Sequence, residues 1–130
     1  MPKVHISSNT TQEGIWAIRR TIGILNRSLP EEYRLVYETT NRTFSGVDRD
    51  DRTSRVESLV PRGVIHAEIY PYDDPEFSGW AWTDGERGYA LGDQAGRDLS
   101  TPHGMRPLVG TMVHEFLHAL GLVAHPQAAH

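Results

Sequence analysis

Apolar residues fall into recognisable periods along this chain. Ile15, Ile18, Ile22, Leu25 and Leu29 recur at intervals of three and four, with Arg19, Arg20, Asn26 and Arg27 on the other side. That spacing predicts an amphipathic packing helix. Thr10, followed three residues later by Glu13, resembles a capping box that opens it, and Pro30 stops it. Before the helix, residues 3–7 alternate through Val4 and Ile6 as a short strand does. After it, residues 33–39 are rich in β-formers and predict a second strand.

Residues 40–56 carry Asp48, Arg49, Asp50, Asp51 and Arg52 with almost no apolar period, which predicts an exposed loop of mixed charge. Its carboxylates lack the spacing and terminal Glu of an EF-hand. Residues 63–70 form the best strand candidate, closed by Pro71 and the turn-forming Asp73, Asp74 and Pro75. Residues 80–83 and 89–91 predict two short strands of a hairpin around Asp84-Gly85, and residues 92–104 a loop. A last helix is expected from Pro107 to Leu120, with Gly121 placed to end it in a left-handed cap. Strand, helix, several strands and a late helix make one αβ domain over residues 1–130, without internal repeats.

Composition narrows the function. A formal charge of −4 and the lack of a basic stripe argue against nucleic acid or an anionic membrane surface as partner. Cys is absent, so any metal must take nitrogen or oxygen ligands. Residues 1–11 lack the pattern of a signal peptide, and no run of eighteen apolar residues occurs, which leaves localisation open.

The chemistry lies in the last helix. In His114-Glu115-Phe116-Leu117-His118 the two imidazoles stand four residues apart, one turn along the same face, where both can reach one ion. Glu115 falls about 100° around the helix from His114, beside such an ion rather than on it. Thr111, His114, Glu115 and His118 occupy one polar wedge, and the apolar remainder predicts a helix buried except along that wedge. Zn2+ suits the arrangement, because a catalytic zinc takes three protein ligands and keeps a position for water. Glu115 is then the expected general base for hydrolysis of a peptide or protein substrate.

The string His114-Glu115-x-x-His118-x-x-Gly121, followed by His125, resembles the signature of the metzincin zinc metallopeptidases, in which a glycine turns the chain so that a third histidine meets the metal. Here three residues rather than two separate Gly121 from the histidine. The resemblance implies an α+β, zincin-like fold: a mixed twisted β-sheet backed by an N-terminal helix, with an active-site helix carrying the HExxH motif. It implies an upper subdomain over residues 1–121 and a minimal or truncated lower part over 122–130. It also implies His114, His118 and His125 as zinc ligands and Glu115 as the catalytic residue. No Asp or Glu follows Glu115, so His130 is the one other downstream candidate for the third ligand. A zinc-binding, non-catalytic domain with a site closed by both His125 and His130 is the alternative. His5, His66 and His103 have no ligand spacing. Trp80, Trp82 and Tyr89 are open to either core packing or a substrate subsite.

Overall fold

The computed structural model describes residues 2–124. Its centre is a five-stranded sheet built from β1 (Lys3–Ser7), β2 (Val36–Thr40), β3 (Val64–Tyr70), β4 (Gly79–Thr83) and β5 (Gly88–Asp93), in the order β2-β1-β3-β5-β4. β2, β1, β3 and β5 run parallel, and β4 pairs antiparallel with β5 at the edge. The helices are α1 (Gln12–Ser28), α2 (Arg52–Leu59) and α3 (Pro102–Ala119).

Side chains alternate across the pleat and sort themselves into two cores. Val4, Ile6, Ile65, Ala67, Ile69 and Ala90 meet α1 and α3 on one face. Val64, Tyr89, Leu91 and Trp80 meet Phe44 and the α2 residues Val56 and Leu59 on the other. Right-handed parallel crossovers account for this division. The chain steps outward from β1 to β2 through α1 and returns past β1 to β3 through α2, so the two connections lie on opposite faces. With both faces covered, β3 is buried over six of its seven residues, as parallel strands usually are.

The expected helix is present over Gln12–Ser28, and its buried residues Ala17, Ile18, Ile22 and Leu25 follow the sequence period. Its cap differs. Thr11, not Thr10, accepts the Gly14 N–H, while the Thr10 hydroxyl is drawn into the core to accept the Ile69 N–H. The second strand starts later than expected, because residues 31–33 form a 3-10 turn. The largest correction concerns residues 40–56. Most of this stretch is exposed, as expected, but it buries Phe44, Arg52 and Val56 and leads through a 3-10 turn (Arg49–Asp51) into α2. Arg52 is 4% exposed, its guanidinium stacked on the rings of Tyr72 and Trp80 at 4.8 and 4.5 Å. α3 begins five residues earlier than expected, with Thr101 as N-cap and Pro102 in its first turn, so Pro107 lies inside it. No helix among the described residues is long and apolar enough to cross a membrane.

One polar pair is buried within the second face. His66 and Glu68 lie two residues apart on β3 and so point the same way, with Nε2 donating to Oε1 at 2.9 Å. Glu68 also accepts from Thr43 Oγ1 at 2.6 Å and from the Phe44 N–H at 2.8 Å. Burial pushes this carboxyl up, but the hydrogen bonds from His66, Thr43 and Phe44 outweigh it and hold the group below the ordinary carboxylate range. Glu68 thereby ties the 40–56 segment to the central strand. Because its folded value is depressed, its contribution to stability is present above the ordinary carboxyl value of 4.5 and is lost as pH falls through the lowered one. Urea unfolding followed from neutral to acid pH should show this acid limb. Glu68→Gln should flatten the limb and lower stability at neutral pH by about 1–3 kcal/mol.

Candidate metal centre

The two motif histidines converge. His114 and His118 lie one turn apart on α3, and their Nε2 atoms stand 3.0 Å from each other with the rings nearly perpendicular at 79°. His118 is 6% exposed, whereas His114 faces solvent. The helix is therefore buried along one side through Leu108, Met112, Glu115, Phe116 and Ala119, not all round except for the wedge as the sequence pattern suggested.

The turn after α3 orients His118. Gly121 adopts φ 74°, a left-handed conformation that glycine takes without a Cβ penalty. The Gly121 N–H reaches the His118 carbonyl and the Leu122 N–H the Leu117 carbonyl, the two bonds of a Schellman cap. The chain then doubles back, and the Val123 carbonyl comes to 2.8 Å from His118 Nδ1. A carbonyl only accepts, so Nδ1 donates to it, which in the neutral ring leaves the Nε2 lone pair directed towards His114. Metal-ligating histidines commonly have their second nitrogen held in this way. His125 and His130 lie outside the described residues, and among those described no group of three or more His, Asp or Glu can hold a metal ion.

The two donors present fit zinc. Both are imidazole nitrogens, and ligands about 2.0–2.1 Å from a tetrahedral zinc lie about 3.3 Å apart, close to the observed separation.

Glu115 sits beside this pair in a cleft of about 460 Å³ lined by Glu76, Phe77, Ser78, Gly79, Gly110, Thr111, His114 and Glu115. The carboxylate is 5% exposed, and burial pushes it up to about 7. Its position depends on glycine. Gly79 on β4 is paired with Gly92 on β5. A Cβ at Gly79 would lie 2.8 Å from Glu115 Oε2 and 2.8 Å from Thr111 Cγ2, and one at Gly92 would lie 2.7 Å from Met112 Sδ. The missing side chains let α3 cross close over this end of the sheet.

The structure thus brings His114, Glu115 and His118 together and leaves the other histidines apart. His66 is bonded to Glu68, and His5 pairs with Glu38 at 2.9 Å on β2. His103 lies exposed near the start of α3. Trp80 and Tyr89 are buried in the core on the face away from α3, so they do not line the cleft. Phe77 and Gly79 do line it, and nothing in their local sequence marks them.

No family model, curated protein or solved structure matches this chain.

Two glycine substitutions separate close approach from simple helix propensity. Gly79→Ala should destabilise the protein by about 1–3 kcal/mol, because Glu115 and Thr111 must move. Gly110→Ala, where an added Cβ meets nothing within 4 Å, should stabilise α3 by about 0.5–1 kcal/mol. Denaturant midpoints of the two variants test both signs.

Proposed function

We propose that this chain is a zinc-dependent peptidase, with His114 and His118 as two metal ligands, His125 as the third and Glu115 as general base. The observation that carries the reading is the convergence of the two Nε2 atoms at 3.0 Å beside a carboxylate that lines an open cleft. The proposal extends to the fold. A mixed sheet with α1 and α3 on one face and HExxH on α3 fits a zincin-like upper subdomain, and the reversal at Gly121 fits a chain that returns towards the ligands.

Zinc held there would polarise a peptide carbonyl and bring the pKa of a water towards neutrality. The side chains supply the rest. Glu115 stands where it can take a proton from a water in the cleft and deliver it to the leaving amine, and burial gives it a proton affinity suited to both steps. His118, with Nδ1–H fixed on the Val123 carbonyl, keeps Nε2 available as a ligand. The cleft, bounded by the edge strand β4, suits a peptide or protein substrate.

Elemental analysis of purified wild-type protein should find one zinc per chain. Glu115→Gln should keep the zinc and lose about 10²–10⁴-fold in peptide hydrolysis. His125→Ala should weaken zinc binding strongly without unfolding the domain. Zinc retained in His125→Ala but lost in His130→Ala would move the third ligand to His130. Zinc with no hydrolysis in the wild type, released in either variant, would indicate the closed, non-catalytic site.

A further inference from the structure

The sheet has a second open edge, at β2, on the side away from the cleft. All five of its residues are at least partly exposed, Val36 by 45% and Tyr37 by 43%. Edge strands are commonly blunted by charged side chains, above all lysine, by proline or by a bulge. β2 carries no lysine, proline or bulge, and its one charge is Glu38. It reads Val36-Tyr37-Glu38-Thr39-Thr40, four strong β-formers and one carboxylate, and pairs with β1 without interruption.

The pleat gives this edge two different faces. Tyr37 and Thr39 are in register with Val4 and Ile6 and so lie on the α1 side. There Trp16, 63% exposed, lines with Arg19, Arg20 and Tyr37 a cavity of about 370 Å³. Arg19 stacks over the Tyr37 ring at 5.7 Å. Exposed Arg34 and Arg42 flank the strand at either end. Glu38, the one carboxylate of β2, points to the opposite side and is already engaged by His5 and Lys3 at 2.9 and 3.6 Å. A chain of formal charge −4 thus presents a basic, aromatic strip on the α1 side of an open strand edge.

We propose that the β2 edge, with Trp16, Arg19 and Arg20 above it, is a docking surface for an extended acidic segment of a partner protein. The segment adds to the sheet as a sixth strand. Main-chain hydrogen bonds to β2 hold it, its carboxylates meet Arg19 and Arg20, and an apolar side chain packs on Trp16 and Tyr37. Charge decides between this occupant and a second copy of the chain. Pairing β2 with itself about a two-fold axis keeps both α1 helices on one side of the seam. It would place four guanidinium groups there, with no β2 carboxylate on that face to balance them. The proposal is independent of the metal centre, which lies at the other edge.

The test uses the full chain and a blocked, fluorescently labelled seven-residue peptide that alternates glutamate with valine, beside a counterpart in which lysine replaces glutamate. Fluorescence anisotropy should show binding of the acidic peptide that weakens as salt screens the charges. The Arg19→Ser/Arg20→Ser double variant, altered only at exposed positions, should lose about tenfold in affinity. Hydrogen exchange should slow at residues 36–40 when the acidic peptide is bound. The proposal is overturned by equal binding of the lysine peptide, by undiminished binding to the double variant, or by protection at β4 instead of β2. Absence of binding overturns it too, as does protection of β2 by self-association without peptide.

Discussion

The close approach of α3 to β4 and β5 is the constraint on which the candidate site depends. A helix that crosses a sheet normally stands off by the side chains between them, much as two packed sheets stand about 10 Å apart. Here the cross-strand pair Gly79 and Gly92 removes those side chains where Thr111, Met112 and Glu115 cross. Glu115 is pressed against the edge strand and loses water, which raises its proton affinity. One turn along, His118 is buried while His114 remains exposed, so the imidazole pair lies at the boundary between core and cleft. Burial of Leu108, Met112 and Phe116 in the core between the sheet and α1 anchors the helix. Each such side chain contributes about 1.5–3 kcal/mol.

The two faces of the sheet serve different ends. The α1 and α3 face is apolar and fixes the height and direction of the motif helix. The other is tied together by polar groups: Glu68 gathers His66, Thr43 and the Phe44 N–H, and Arg52 stacks over both Tyr72 and Trp80. This second layer reaches the cleft through the segment that follows β3. Asp93 accepts the backbone N–H groups of Asp73 and Asp74, and Arg49 pairs with Asp74 at 3.0 Å while stacking on Phe77 at 4.7 Å. Phe77 is thereby held as a wall of the cleft, on the side facing His114 and Glu115.

What the sequence disclosed follows from how each element is stabilised. α1 and β3 bury regular apolar stripes, and both are legible from period alone. The convergence of His114 and His118 follows from four-residue spacing on a helix, and the turn at Gly121 from glycine's tolerance of positive φ. α2 was hidden because only Val56 and Leu59 are apolar in its eight residues, and its burial rests on an arginine whose aromatic partners come from distant segments. The start of α3 is not legible because Pro107 resembles a first-turn proline, while Thr101 provides the cap and Pro102 the first-turn proline. Gly79 and Phe77 act through tertiary contacts alone and leave no local signal. The His66–Glu68 pair was visible in principle as two polar residues on one face of a buried strand.

The central claim is that His114 and His118 hold one zinc ion jointly with a third histidine and leave a position for water. X-ray absorption at the zinc edge of metal-loaded protein tests it most directly. The account predicts three imidazole ligands and one lighter, non-protein oxygen at about 2.0–2.1 Å, with the bound zinc lost in both His114→Ala and His118→Ala. A protein that takes up no zinc, or whose zinc shell is unchanged by either substitution, would contradict it.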